Sequence, residues 1–318
     1  MCDLSIVIVN WNTRDLLRDC LASLPEAART LTCEIIVVDN ASTDGSVEMV
    51  RATFPHVRLI ALAENVGFAR ANNMGFAQAQ GRYFLLLNPD TWLPSGALDD
   101  MVALMDQMPD TGILGPRLLN ADGSLQPSCS HFPTLLNIAL ESWGISRLAP
   151  QNRRLARFKM TYWGHDDARD VDQPSGACLL VRREAWQSAG PLDERFFMYF
   201  EEVDLCWRVR QAGWRIRFTP TPQITHYGGQ SSLQNLDARI TQRYASLLFF
   251  FHKHYGALTT GALCVALAPA LLLRACLATV RASLAGQRRQ WEYAVQYWRV
   301  TAYVCGSTIG IQSCQRTQ

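Results

Sequence analysis

Tyr83-Phe84-Leu85-Leu86-Leu87-Asn88-Pro89-Asp90 is the stretch that decides the fold. Its apolar run has the length and composition of a fully buried strand, as parallel sheets require. Pro89 cannot extend a ladder of hydrogen bonds, so the chain leaves the sheet at Asn88. A carboxylate just past the carboxyl end of a buried strand stands where open α/β sheets hold their ligands. Asp90 also suits the cap of a helix beginning near Leu93-Pro94. The octapeptide alone does not separate the two.

Working outward, further strands are expected at Leu4–Val9, Glu34–Asp39, Val57–Ala61 and Gly112–Leu118. Helical patterns lie between them at Thr13–Leu24, Gly45–Thr53, Gly67–Gln80 and Ser95–Met108. Alternation of this kind predicts βαβ units and an α/β, largely parallel, doubly wound sheet. Asn120-Ala121-Asp122-Gly123 reads as a tight turn. From Pro127 to Pro174 periodicity fades and Arg153, Arg154, Arg157 and Lys159 cluster, as in a functional lid or mobile segment. Order returns with the apolar segment Ala177–Val181, helices at Arg183–Ala189 and Glu201–Ala212, and a short strand at Arg215–Phe218.

After Asp237 the character changes, which divides the chain into residues 1–235 and a helical region, 236–318. Ala238–Tyr255 is amphipathic, and the 17 residues Ala257–Leu273 carry no charge, at the short limit for a membrane span. Gln287–Val304 places Trp291, Tyr293, Tyr297, Trp298 and Tyr303 among Arg288, Arg289 and Arg299. Aromatics and arginines on one helix suit a bilayer surface. The other reading is a helical pair packed on the catalytic domain or on another subunit of a homo-oligomer.

With 318 residues the chain can bury a sizeable core, and a net charge of +2 lacks the basic field of a dedicated nucleic-acid binder. Ten cysteines without a Cys-x-x-Cys pair argue against a zinc ribbon or redox dithiol and suggest a reducing compartment. A first strand beginning at Leu4 leaves no room for a signal peptide, so a cytoplasmic protein is expected.

Three strand ends carry polar groups: Asn10-Trp11-Asn12, Asp39-Asn40-Ala41-Ser42-Thr43-Asp44 and Asn88-Pro89-Asp90. Together they predict a nucleotide crevice along one sheet edge. No Gly-x-Gly-x-x-Gly or Walker loop is present, which argues against a dinucleotide or ATP cradle. Asp44 reads as a turn or cap residue, whereas Asp39, directly at a strand end, is expected to meet ligand. Asn65-Val66-Gly67-Phe68-Ala69-Arg70-Ala71-Asn72-Asn73 opens a helix whose amides and Arg70 could face an anion. Asn72 and Asn73 could instead tie loops together. Phe196–Phe200 runs into Glu201, Glu202 and Asp204. Glu202 at this apolar boundary could act as general base, and Asp204 can pair with Arg208 at i, i+4. His226 ends a strand before Gly228-Gly229 and could complete a metal site.

These segments, in this order, resemble the inverting nucleotide-sugar glycosyltransferases of family 2 with the GT-A fold, and within them the bacterial rhamnosyltransferases of surface polysaccharides. The resemblance rests on Ser5–Asn12, Val37–Ser46, Asn65–Asn73, Leu87–Asp90, Ser175–Ala177, Phe196–Arg208 and His226–Ser231, and spans roughly residues 1–235. It implies a Rossmann-like sheet flanked by helices, with a membrane-associating helical extension. It also implies that Asn10, Asn12, Asp39, Asn65, Gly67, Arg70 and Asn88 bind the donor, and that Ser175, Gly176, Ala177 and Glu201 bind the acceptor. Glu202 matches the catalytic base of the family's Glu-Asp motif, where aspartate is the more familiar occupant, and Glu201 remains its rival. Asp90 matches the last aspartate of Asp-x-Asp, with Asn88 in place of the first, and His226 matches a metal-ligating histidine. Mg²⁺ or Mn²⁺, a dTDP-L-rhamnose donor and a glycan or polyprenyl-diphosphate-linked acceptor are implied, on the inner face of the cytoplasmic membrane. A sugar nucleotidyltransferase should show a glycine-rich basic loop near the first strand, which Asn10-Trp11-Asn12-Thr13-Arg14 is not. An inactive membrane-tethered sugar-binding scaffold is favoured only by Asn88 and Glu202.

Overall fold

A computed structural model describes residues 2–228, 236–285 and 288–306. Of the segments singled out above, Gly229–Ser231 and Gln287 lie outside the described residues. The chain divides into two compact units. The first comprises residues 1–132, 163–194 and 201–231; the second comprises 133–162, 195–200 and 232–318. The second therefore takes in two segments that composition alone had left with residues 1–235.

The first unit is built on one mixed sheet. Strands β1 (Leu4–Asn10), β2 (Cys33–Asp39), β3 (Arg58–Ala61) and β4 (Tyr83–Leu87) run parallel, in the order β3-β2-β1-β4. Helices α1 (Arg14–Ala27), α2 (Ser46–Thr53) and α3 (Phe68–Phe76) connect them. Every residue of β1 and β4 is buried, as their unbroken apolar runs predict. Because β2 and β3 lie on one side of β1 and β4 on the other, the strand order reverses at the β1/β4 boundary, where such sheets bind ligands. Gly75 on α3 makes close packing possible: a Cβ there would stand 2.5 Å from Val7 Cγ1.

The remainder of the sheet departs from the parallel expectation. A two-residue strand, β5 (Thr91–Trp92), precedes helix α4 (Ala97–Gln107), and β6 (Thr111–Leu119) turns at Asn120–Gly123 into β7 (Leu125–Gln126). The short strands β8 (Cys129–Ser130), β9 (Arg169–Asp170) and β10 (Gln173–Pro174) follow. Strand β11 (Cys178–Arg182) is antiparallel to β4 and to β6. In chain order between β8 and β9, residues of the second unit form helix α5 (Leu135–Ser142), with a Thr134/Asn137 capping box, and the single turn α6 (Ile145–Leu148). The expected loop 127–174 therefore carries real elements.

Helices α7 (Arg183–Ala189) and α8 (Glu201–Gln211) lead to β12 (Arg215–His226). The short strand expected at Arg215–Phe218 extends to His226, past a register shift between Thr219 and Gln223, parallel to β6. The core packs α1 and α4 on the central strands through Leu17, Leu21, Met101 and Met105 against Ile6, Ile8, Leu85 and Leu87. Full burial of each such side chain contributes about 1.5–3 kcal/mol.

In the second unit the helix Leu236–Ala285 breaks at Gly256, whose φ of 80° is not helical. The helix Arg288–Gly306 returns beside it, Trp298 Nε1 donating to Thr279 Oγ1 at 3.1 Å. Trp143 donates to the Ala266 carbonyl and Tyr255 to the Pro133 carbonyl, joining residues 133–143 to the long helix. Ile240–Leu284 is long and apolar enough to cross a membrane, and only 33% of its most apolar stretch is buried.

Candidate active site

The carboxyl edge of β1 and β2 is a hydrogen-bonded rim. Asn10, fully buried, donates from Nδ2 to Asp39 Oδ2 (2.9 Å) and Ser42 Oγ (3.1 Å), and accepts from Thr13 at 2.7 Å. The other Asp39 oxygen accepts the Ser42 N–H at 2.9 Å. Asn12 sits at φ 52° and accepts the Thr43 N–H at 2.7 Å. Asn65 Oδ1 accepts from Asn40 Nδ2 and from the Gly67 N–H, both at 3.0 Å, and Gly67 takes a φ of 89° that glycine tolerates best. Asn10, Asn12, Asp39, Asn65 and Gly67 are thus brought together. Asp39 already anchors two loops through both oxygens, with lone pairs to spare.

Asp44 holds the turn, accepting from Ser46 and from the Arg14 N–H, as expected. Arg70 is exposed, 3.8 Å from Glu194, and makes no hydrogen bond to this rim. Asn73 ties loops together, bonding the Leu192 backbone through both its donor and its acceptor.

At the end of β4, Asp90 is not a helix cap, because α4 begins only at Ala97. It is 3% exposed, and the antiparallel pairing Thr91↔His226 carries it to the end of β12. Its carbonyl accepts the Tyr227 N–H, and its Oδ1 stands 3.3 Å from His226 Nε2. Asn88 Nδ2 approaches the same nitrogen at 3.3 Å.

Gln126, which the sequence did not single out, orients the ring. Its Nε2 donates to Asn120 Oδ1 (2.9 Å) and to the His226 carbonyl (3.1 Å), so its Oε1 faces His226 Nδ1 at 2.6 Å. An amide oxygen only accepts, so Nδ1 donates to Gln126 and Nε2 is the ring nitrogen turned toward Asp90. An imidazole nitrogen and a carboxylate oxygen 3.3 Å apart suit adjacent ligands of one divalent cation, which at about 2.1 Å bonds would stand about 3.0 Å apart. Among the described residues no third carboxylate, thiol or imidazole joins them as a metal cluster.

The same corner continues toward α8. The Asn88 N–H donates to the Ala177 carbonyl at 2.9 Å, and the Ala177 N–H reaches Ser175 Oγ at 3.3 Å. Between them lies Gly176, where a Cβ would meet Glu202 Cγ at 3.3 Å and Cβ at 3.4 Å. Glycine here lets the Glu202 side chain lie directly over the loop. The two residues before α8, Tyr199 and Phe200, both have positive φ (67° and 70°), a conformation costing about 1–3 kcal/mol each that concentrates at functional sites.

Glu201 and Glu202 part company. Glu201 is 4% exposed; burial first, then the charge of Glu202, pushes its carboxyl well above the usual glutamate range. Glu202 is only partly buried. Asp204, fully buried, pairs with Arg208 Nε at 2.8 Å, and Arg208 also donates to the Ala189 and Gly190 carbonyls. Its role is structural, as its spacing predicts.

A sheet whose polar edge sits at the strand-order reversal, beside an aspartate–histidine corner and a half-buried glutamate, is the architecture of a GT-A glycosyltransferase. Comparison with known proteins bears this out: the profile of glycosyl transferase family 2 matches residues 5–184, more than half of the chain, and the chain belongs to that family. The N-acetylglucosaminyl-diphospho-decaprenol L-rhamnosyltransferase of Mycobacterium tuberculosis is 29% identical over 298 residues, covering 90% of this chain and 96% of that protein. Escherichia coli rhamnosyltransferase WbbL is 37% identical over 57 residues, 18% of this chain and 22% of that protein. The mannosyltransferase PcManGT of Pyrobaculum calidifontis, solved with GDP-Man and Mn²⁺, superposes with a TM-score of 0.54 at 16% identity, over 96% of this chain and 87% of that one. That likeness speaks for the fold. The family match sets aside the nucleotidyltransferase reading.

Proposed function

We propose that the protein transfers L-rhamnose from dTDP-L-rhamnose, with inversion, to a hydroxyl of a saccharide carried on a polyprenyl diphosphate in surface-polysaccharide synthesis. The observation that carries this reading is one connected path: the Asp90–His226 pair, Asn88, Ala177, and Gly176 with Glu202 above it. The rhamnosyl donor and the lipid-linked acceptor are supported by the mycobacterial relative, whose similarity runs through nearly its whole length.

Glu202 takes the proton of the acceptor hydroxyl as that oxygen attacks the anomeric carbon and the bond to the diphosphate breaks. One base and no enzyme nucleophile give a single displacement, hence inversion. Burial raises the Glu201 carboxyl well above the usual glutamate range, which makes the less buried Glu202 the better placed of the two to take a proton. Asp90 and His226 would hold Mg²⁺ or Mn²⁺, which supplies positive charge against the leaving diphosphate, with phosphate oxygens and waters filling the remaining positions. Asn10, Asn12, Asp39, Asn65 and Gly67 form the nucleoside side of the crevice, and Ser175–Ala177 the acceptor side. The exposed apolar surface of Ile240–Leu284 supports a peripheral seat on the cytoplasmic face of the membrane.

The test is transfer to a lipid-linked acceptor from a panel of dTDP- and UDP-sugars, after EDTA treatment and with Mn²⁺ or Mg²⁺ restored. Product configuration is read from the anomeric one-bond C–H coupling. Preference for dTDP-L-rhamnose, metal dependence and an inverted linkage are expected. A retained linkage, or a UDP-sugar used in preference, overturns the reading.

A further inference from the structure

The second unit holds a cavity of about 230 Å³ that the chemistry above does not use. Arg147, Lys159, Arg243 and Arg274 line it with Tyr244 and Tyr297, and Glu141 is its one carboxylate. That carboxylate is already committed: Lys159 Nζ lies 2.7 Å from Glu141 Oε1, and Ser146 donates to the other oxygen. Arg274 donates to the Ser142 carbonyl at the end of α5. The guanidinium groups of Arg147 and Arg243, both on exposed residues, make no hydrogen bond or ion pair among the described residues, although the charge of Arg147 acts on Glu141. Two exposed guanidinium groups with no carboxylate at ion-pair distance, beside Lys159 and Arg274, leave forks free to take an anion, and guanidinium forks favour phosphate oxygens. The volume falls below the ~300–1,000 Å³ of drug-sized pockets and fits a compact head group better than a glycan.

What such a head group carries is indicated by the same helix. Arg243 and Arg274 both belong to Leu236–Ala285, and Leu272, Leu273 and Leu277 around Arg274 are exposed. Ile138, Phe158 and Leu247 add an apolar side to the cavity. A charged pocket opening on an apolar helix matches an anion attached to a hydrocarbon chain. We infer that this cavity is a binding site for a phosphate group borne on a lipid, either an isoprenyl diphosphate or a bilayer phospholipid. The first source deepens the acceptor assignment made above and rests on it; the second does not.

The experiment uses the full chain and the double variant Arg147→Gln/Arg243→Gln, with Arg243→Lys as the charge-preserving control. Farnesyl diphosphate, farnesol and inorganic pyrophosphate are titrated calorimetrically, and sedimentation is measured with phosphatidylcholine vesicles lacking or containing phosphatidylglycerol. Wild type should bind farnesyl diphosphate at least tenfold more tightly than farnesol or pyrophosphate, if the bilayer is not the source. The double variant should lose roughly tenfold or more of that affinity, as charge-assisted contacts imply, and Arg243→Lys should retain most of it. Loss confined to phosphatidylglycerol vesicles assigns the site to bilayer phospholipid. Equal binding of pyrophosphate and farnesyl diphosphate, or wild-type binding of every probe by a double variant with unchanged thermal unfolding, overturns the inference. Hydrolysis of the nucleotide-sugar donor in water, measured in parallel, should be unchanged in the double variant. Its failure in wild type would count against the proposed reaction and not against this site.

Discussion

Replacing Glu202 by glutamine isolates the proposed proton transfer. The amide keeps the side chain's length and its packing over Gly176, where Glu202 Cγ lies 3.3 Å from the position of an added Cβ. What it removes is the ability to accept a proton. A positioned general base contributes about 10²–10⁴-fold, which at 1.36 kcal/mol per decade is about 2.7–5.4 kcal/mol of transition-state stabilisation. The upper half of that range is expected, because the neighbouring Glu201 carboxyl is buried away from the loop and is a poor substitute. Donor affinity should hardly change, since the path from Glu202 to the Asp90–His226 corner runs through Gly176, Ala177 and Asn88. Single-turnover transfer by rapid quench measures the chemical step, nucleotide titration measures the donor, and thermal unfolding checks the fold. A variant within roughly threefold of wild type in single turnover refutes the assignment, because no interaction specific to the transition state would then have been lost.

The other expectations follow from the same geometry. Unfolding returns Glu201 to about 4.3, so above that pH the folded state binds the extra proton and stability falls by about 1.4 kcal/mol per pH unit until the raised folded value is passed. Glu201→Gln cannot ionise in either state, so urea midpoints from about pH 5 upward should decline less than in wild type; parallel curves would show that the buried carboxyl is not perturbed. Gln126→Leu removes the acceptor that fixes the His226 tautomer and should raise the Mn²⁺ concentration for half-maximal activity by about 10–100-fold, as loss of an outer hydrogen bond to a ligand does. An unchanged metal titration would exclude His226 as a ligand oriented in this way. Asp204→Asn leaves Arg208 without its buried counter-charge and should cost about 3 kcal/mol in denaturant titrations while sparing turnover per folded molecule. A loss of turnover without loss of stability would move Asp204 into the chemistry.

The chain order of strands and helices in the first half was legible because its signals are local. An unbroken apolar run reads as a doubly buried strand, and a proline after it as an exit. The antiparallel course of β11 was not legible, since Ala177–Val181 has the same apolar composition whichever way it runs. The length of β12 was hidden by Pro220 and Pro222, which interrupt the strand signal that resumes at Gln223. Within the site, Asp204 announced its partner by helical spacing, whereas Gln126 had no signal at all. Nothing in a hairpin sequence says that its glutamine will meet a histidine 100 residues on.

The sequence by itself determined that an acidic edge closes a buried α/β sheet, because composition and period 2 or 3.6 patterning are properties of neighbouring residues. Asp90 was marked in this way, yet both a cap and a ligand remained open. Only tertiary structure decided between them, by pairing Thr91 with His226 and starting the next helix at Ala97. The same holds for the two glutamates. They are adjacent in sequence, but successive positions on a helix are rotated by about 100°, so Glu201 enters the interior, where burial raises its pKa, while Glu202 reaches Gly176. Which carboxylate can act as a base is set by what each faces, and that depends on packing between segments distant in the chain.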